Sequence, residues 1–311
     1  MLVPAPLRNP ALSSTDEISS SILRVLLYFK IFSYPLRKEE LFQFVGNGNK
    51  IEIQAALAKL IGKGFIYAKD DFVWVDNPEN IIASRLEGNQ RAEKYLRIAH
   101  RQAWLLSKFP FIKCLCISGS LSKRYMDDHS DIDYFIIARK NSLWLTKFFM
   151  SCIVETLEVF GLQKYFCPNY IITENNLEIP DKNVYTAIEI ATLIPIYNRD
   201  EFERFLTANS WIKEYVPHFE MNLPTHIFEY RRWLNNLWQH QTFKWLNQKI
   251  FRFYKRRFMM KVRKGKIVAF DNDMVITEDD FKLHLSGHRK RILQKFQENI
   301  QAFELRHDVV L

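Results

Sequence analysis

Apolar side chains recur at three- and four-residue intervals near the start of the chain. ISSSILRVLLYFKIF, from Ile18, has this spacing and is predicted to be an amphipathic helix. YPLRKEELFQFV predicts a second helix, with Pro35 and Leu36 at its start and Leu41, Phe42 and Val45 along one face. KIEIQAALAKLIGKG predicts a third: Ile53, Ala56, Leu57, Leu60 and Ile61 fall at helical spacing and Gly64 stops it. The pattern then shortens to strand length. FIYA, the turn KDD and FVWV read as a two-stranded hairpin. Ahead of this unit, residues 1–17 form a Pro- and Ser-containing tail in which Ser14, Thr15 and Asp16 are N-cap types.

Residues 78–108 read as one long helix, ended by Pro110. Strand and helix alternate over 111–174. FIKCLCIS and DIDYFIIAR are buried strands, NSLWLTKFFMSCIVETLEVF is a helix that Asn141 or Ser142 caps, and KYFCPNYIIT is a third strand. From about 182 the pattern is helical again, through VYTAIEIATLIPIYN and EFERFLTANSWIKEYV, then a long helix from about 226 to 263 and a last one from about 288 to 305. Three helices followed by a hairpin resemble a winged helix-turn-helix. The expected division is a tail (1–17), a winged-helix-like unit (18–77), a connector helix (78–110), a strand-containing core (111–200) and a C-terminal helical region (201–311). The fold class is α+β, mostly helical, around a small mixed sheet.

Composition narrows the picture. Among 311 residues, 48% are apolar and 14% aromatic, enough to bury a core, which excludes a disordered chain. Only 9 glycines exclude a collagen-like chain and favour long helices. Cys114, Cys116, Cys152 and Cys167 lack zinc-site spacing and read as free thiols in a reducing cytosol. The most apolar long stretch, 143–162, is interrupted by Lys147, Glu155 and Glu158, which suits a core helix rather than a membrane span. With no signal-peptide-like apolar run at the start, the expectation is a soluble, cytoplasmic protein.

The segment 117–137, ISGSLSKRYMDDHSDIDYFII, carries candidate chemistry. A buried strand ends in Gly119-Ser120, and a ten-residue spacer leads to Asp131-Ile132-Asp133 at the start of the next strand. Asp131 and Asp133 are two apart on a strand, so both carboxylates share one face. They repel each other unless a cation bridges them. Magnesium does so, using one or two carboxylates plus substrate phosphates. Gly119 permits close backbone approach, and Ser120 stands where a helix begins and free N–H groups can hold phosphate. Lys123 and Arg124 add positive charge on the same turn. Carboxylates for metal beside donors for phosphate are the equipment of phosphoryl or nucleotidyl transfer.

Gly-Ser, a spacer of about ten residues, then Asp-x-Asp resembles the signature of the DNA polymerase beta-type nucleotidyltransferase superfamily, in the G-S-x-A-R-G…S-D-I-D form of its small members. Lys123 stands where that form has Arg, and Arg124 where it has Gly. The resemblance covers roughly residues 111–174. It implies that Gly119, Ser120, Lys123 and Arg124 bind a nucleoside triphosphate, ATP being the expected donor. It further implies that Asp131 and Asp133 coordinate two Mg2+ ions, and that a nucleoside monophosphate passes to a hydroxyl acceptor: a small molecule, a tRNA or a protein. The superfamily usually presents a third carboxylate from a following strand. KYFCPNYIIT has none; either Asn169 is a neutral substitute or Glu174 reaches back from just past its end. The alternative function is a non-catalytic regulator that senses nucleotide or binds nucleic acid.

Charge is unevenly spread. Residues 16–76 hold eight basic and eight acidic side chains. The candidate recognition helix carries Lys50, Glu52, Lys59 and Lys63, which favours a packing or partner-binding role over DNA binding. Residues 229–266 hold twelve Lys or Arg and one Glu, more excess than the whole chain's +9. There, Lys255, Arg256 and Arg257 interleave with Phe251, Phe253, Tyr254 and Phe258. This suits RNA or other nucleic acid, an anionic membrane surface, or a solvated helix face. His284 and His288 are four apart and could share a helix face as metal ligands, but Ser286-Gly287 between them predicts a turn and a surface or capping role; His129, in the loop before Asp131, reads as solvated, with a substrate contact as the alternative.

Overall fold

The computed structural model describes residues 14–46, 48–76, 80–221, 223–224, 227–229, 241–263, 274–277, 280–283 and 288–311. The N-terminal unit runs α1 (Ser14–Lys30), β1 (Leu36–Arg37), α2 (Lys38–Phe44), α3 (Lys50–Gly62), β2 (Tyr67–Lys69) and β3 (Phe72–Trp74). Its three strands pair antiparallel in the order β1-β3-β2. Pro35 and Leu36 therefore do not open a helix: Leu36 pairs with Val73, and α2 begins at Lys38. α3 is bounded by local chemistry. Asn49 accepts from the N–H groups of Ile51 and Glu52, Glu52 accepts in return from the Asn49 N–H at 2.7 Å, and Gly64 at φ 73° ends the helix.

After α4 (Ile81–Leu106) come β4 (Ile112–Ser118), α5 (Gly119–Ser122), β5 (Asp133–Ala138), α6 (Leu143–Val159), β6 (Cys167–Thr173), α7 (Val184–Ala191), β7 (Ile194–Tyr197), α8 (Arg199–Ala208), α9 (Gln241–Arg263), β8 (Met274–Ile276), β9 (Asp280–Leu283) and α10 (His288–His307). The larger sheet has the order β7-β4-β5-β6-β9-β8. It is mixed, because β5 and β6, joined through α6, run parallel while the other pairs are antiparallel. The class is α+β, as expected.

The two-residue period of the strands divides the core into two layers. Cys114, Cys116, Phe135, Ile137 and Ile172 pack on one face with apolar residues of α1, α3, α7, α8 and α10. Leu115, Ile117, Tyr134, Ile136 and Ile171 pack on the other with α4, α6 and α9. The first cluster runs unbroken from the N-terminal unit to the sheet, so that unit is packed onto the core. Three contacts pin it beside the loop after α5. Tyr34 Oη donates to the Lys123 carbonyl at 2.6 Å. Arg85, buried on α4, lies 3.6 Å over the Tyr34 ring and pairs with Glu40 at 2.7 Å. Gly88 sits inside α4, where glycine costs about 1 kcal/mol against alanine. The Tyr125 ring fills the space its side chain would need, 2.3 Å from an added Cβ.

Several expectations need correction. The run VYTAIEIATLIPIYN is not one helix: α7 ends at Ala191, and Ile194–Tyr197 form an edge strand on β4, a place that tolerates Pro195. Residues 227–229, at the start of the helix expected from about 226, are not helical. Phe228 bridges to Tyr197, exchanging hydrogen bonds with the backbone of Ile196 and Asn198. The region 201–311 is not wholly helical, since β9 extends the sheet beside β6 and β8 pairs with β9. Ser142 occupies the N-cap position of α6, but its hydroxyl donates to the Arg139 carbonyl instead of capping the helix. Asn247, buried on α9, accepts from the N–H groups of Trp144 and Leu145 at 2.8 and 3.1 Å. Among the described residues, no helix is long and apolar enough to cross a membrane; 143–162 is mostly α6. Residues 1–13 lie outside the described residues.

The tertiary cap is directly testable. Asn247→Ala leaves two buried N–H groups of α6 without an acceptor and is expected to lower unfolding free energy by ~1–2 kcal/mol in urea denaturation. A change below ~0.3 kcal/mol contradicts a capping role.

Candidate functional site

β4 and β5 end side by side, Ser118 opposite Asp133. β6 runs along the other edge of β5, with Cys167 opposite Asp133. Asp133 is thus flanked on both sides. Its parity places it on the same face as Phe135 and Ile137, toward the N-terminal unit and α7. Asp131, exposed, shares that parity just before the strand. Buried Ile132 turns the other way, and its backbone is held by Lys164 O and Cys167 N, at 3.0 and 2.8 Å.

Gly119 makes this corner possible. It has φ 66°, and a Cβ built there would lie 2.3 Å from Asp133 Oδ2. The carboxylate therefore occupies the space a side chain would take. α5 then turns the chain for one short helical turn. Ser120 is half-buried, with its hydroxyl near Met126 Sδ at 3.6 Å. Ser118 Oγ is buried without a hydrogen-bond partner on the strand end facing Asp133.

Burial raises the Asp133 carboxyl to about 6 from an ordinary 3.8, and the negative charges of Glu189 and Asp131 push the same way. A hydrogen bond with the Cys167 thiol and the charge of Lys123 oppose them. Burial also raises Asp131, against the pull of Lys164. Cys167 is pushed up to about 12, first by burial and then by Asp133, so it remains a thiol. A buried carboxylate and a more exposed one that repels it are a donor set that a hard divalent cation relieves. Among the described residues, no group of three or more His, Cys, Asp or Glu is arranged to hold a metal ion. Asp131 and Asp133 would hold magnesium as it is usually held, by two carboxylates with phosphate and water completing the shell.

The structure brings together Gly119, Ser120, Lys123, Asp131 and Asp133, and separates other candidates from them. Lys123 folds inward. Its Nζ donates to Glu189 Oε1 at 2.8 Å and to the Gly119 carbonyl at 3.1 Å. Arg124 is exposed at φ 54° and pairs with Glu93 of α4 at 3.6 Å. Asn169 is the extra residue of a bulge between the pairs Tyr134–Pro168 and Phe135–Tyr170, so it faces neither aspartate across the ladder. Glu174 lies past the far end of β6, bonded to Lys140 N and Lys113, and cannot reach back. Lys255, Arg256 and Arg257 are exposed on α9, which packs on the opposite face of the sheet from Asp133. A nucleic acid lying along α9 is therefore on the wrong layer to approach the aspartates directly.

His129 is exposed, its N–H bonded to Asp127 Oδ1 in a local turn. His288 packs edge-on to Tyr185, Arg289 is buried against Asp181, and His284 lies outside the described residues. Three residues of the site had no motif to announce them: Ser118, Cys167 and Glu189. The first two follow from strand register. Glu189, on a helix more than fifty residues beyond the motif, is placed only by the tertiary fold.

Gly119→Ala places an alanine in the left-handed region and against a carboxylate. It is expected to lower stability by ~1–2 kcal/mol or more and to abolish any ligand binding that uses Asp133; unchanged stability contradicts the packing described. Asp133 makes a second prediction. Because its folded value lies above its unfolded one, the folded chain holds the extra proton between about 4 and 6. In chelator, that contribution is present below pH 4 and lost as pH rises through 6. Asp133→Asn should therefore melt above wild type at pH 8, with the gap closing toward pH 5. Parallel melting curves across that range contradict it.

Comparison with family models, with curated proteins and with solved structures finds no match to this chain, so its function rests on the chemistry of the site itself.

Proposed function

We propose that the chain is a magnesium-dependent nucleotidyltransferase that passes a nucleoside monophosphate from a nucleoside triphosphate, ATP being the expected donor, to a hydroxyl acceptor. The observation that carries the reading is the corner at the ends of β4 and β5, where Asp133 lies over Gly119 with Asp131 two residues away. The resemblance of Gly119-Ser120…Asp131-Ile132-Asp133 to the beta-type superfamily supports it. So does Arg124, which adopts a left-handed conformation where the resembled motif has Gly.

In this reading Asp131 and Asp133 would hold two magnesium ions, whose positive charge would offset the negative charge of the triphosphate and of the attacking oxygen. The Gly119 corner brings backbone close to the phosphates, and the Ser120 hydroxyl donates to them. Lys123 stands within the same turn and offsets part of the phosphate charge. The acceptor hydroxyl oxygen forms a bond to the α-phosphorus and gives up its proton to solvent as the bond to the leaving pyrophosphate breaks.

A second reading has its own support. The strand partner of Asp133 is a protonated thiol, and Asn169 sits on a bulge, so no third acid from β6 stands ready to activate the acceptor. This favours a nucleotide-sensing regulator without turnover.

Calorimetry with each of the four common triphosphates and Mg2+, beside an assay for pyrophosphate release in cell extract, separates the readings. The enzyme reading expects Mg-dependent binding plus release. The sensor reading expects binding alone. In both, the Asp131→Ala/Asp133→Ala variant loses binding; binding that survives this double substitution rejects the site.

A further inference from the structure

The layer of the molecule that carries α9 has a second, unassigned surface. Residues 241–263 hold eight Lys or Arg and no acidic residue. One side of α9 is used for folding: Asn247 caps α6, and Phe251 and Tyr254 pack against Trp144. The opposite side mixes apolar and basic groups. Trp245, Leu246, Phe253, Met259 and Met260 are exposed, Trp245 and Phe253 by 56% and 60%. At about 100° per residue, these side chains and Lys249, Arg252 and Arg256 share one outward arc of roughly 140°. Arg252, Arg256 and Arg257 make no ion pair among the described residues, and Lys249 Nζ lies 3.8 Å over the Trp245 ring.

The same pairing recurs elsewhere in the layer. Lys108 lies 3.3 Å over the exposed ring of Trp104 at the end of α4, beside exposed Leu105. An ordinary solvated face does not expose this much aromatic and thioether surface. A partner for it must be anionic and must also accept aromatic and aliphatic side chains.

We propose that α9 docks this protein onto an anionic lipid surface, with Arg252, Arg256 and Arg257 among the headgroups and Trp245, Phe253 and Met260 at the acyl boundary. Several features favour lipid over nucleic acid. The exposed apolar groups include Leu246, Met259 and Met260, which offer no ring for a base to stack on. Tryptophan beside lysine is the composition of a membrane interface. The position of α9 on the layer opposite Asp131 and Asp133 leaves the candidate site open while this face is covered. Glu155 and Glu158, exposed on α6, repel such a surface and confine the docking to α9.

The test is co-sedimentation of the full chain with vesicles of phosphatidylcholine alone and of phosphatidylcholine with phosphatidylserine, alongside binding of labelled poly(U). Association is expected only with the anionic vesicles. At about a fivefold effect for each basic residue near the surface, Arg252→Glu/Arg256→Glu/Arg257→Glu weakens it on the order of a hundredfold or more. All three side chains are exposed, so the variant is expected to fold, which circular dichroism checks. Phe253→Ser/Met260→Ser is expected to weaken it about tenfold. Equal binding to neutral vesicles, binding by the triple variant within about twofold of wild type, or capture of poly(U) without vesicle association overturns the proposal. If both ligands bind, the Phe253/Met260 variant decides: vesicle binding that it leaves intact also overturns it.

Discussion

The carboxylate of Asp133 lies over the backbone of Gly119, in space that any side chain at position 119 would occupy. Two strand ends create this arrangement. β4 stops at Ser118, the chain turns left-handed through Gly119, and β5 starts opposite with its first residue between Ser118 and Cys167. Burial then makes the charged form of Asp133 unfavourable without a partner, and Asp131 adds repulsion. An empty site with these properties costs stability at neutral pH, and in the proposed reading a bound cation would restore it.

The N-terminal unit supports that corner mechanically. Tyr34 reaches from the unit to the Lys123 carbonyl, and Arg85 is sandwiched between the Tyr34 ring and Glu40. Tyr125 fills the notch at Gly88, and Met126 N donates to the Gly88 carbonyl at 3.1 Å. The loop between α5 and β5 is thus anchored to α4 and the N-terminal unit before it arrives at Asp131. A shared core, rather than a hinge, joins the helices around α1 to one face of the sheet.

What was legible in the sequence follows the range of each interaction. The parity of Asp131 and Asp133 is a property of two adjacent peptides, so it could be read directly. So could β4, β5, α6 and β6, whose apolar runs are long. The edge strand at Ile194–Tyr197 was hidden because it continues an apolar helical run, although Pro195 marked the break. β8 and β9 are three and four residues long, and β9 pairs with β6 more than a hundred residues upstream, a contact with no local signal. Asn169 was a candidate because the third strand carries no acid, but the ladder sets Cys167 beside Asp133 and leaves Asn169 in a bulge further along. Glu189 could not be found at all, because its approach to Lys123 depends on how α7 packs.

The most direct test is crystallographic. Crystals soaked with Mn2+ and a non-hydrolysable triphosphate are measured at the manganese absorption edge. The account predicts anomalous density coordinated by the carboxylates of Asp131 and Asp133, with phosphate oxygens against Gly119 and Ser120. Manganese and nucleotide bound elsewhere, with those two carboxylates free of metal, would contradict it.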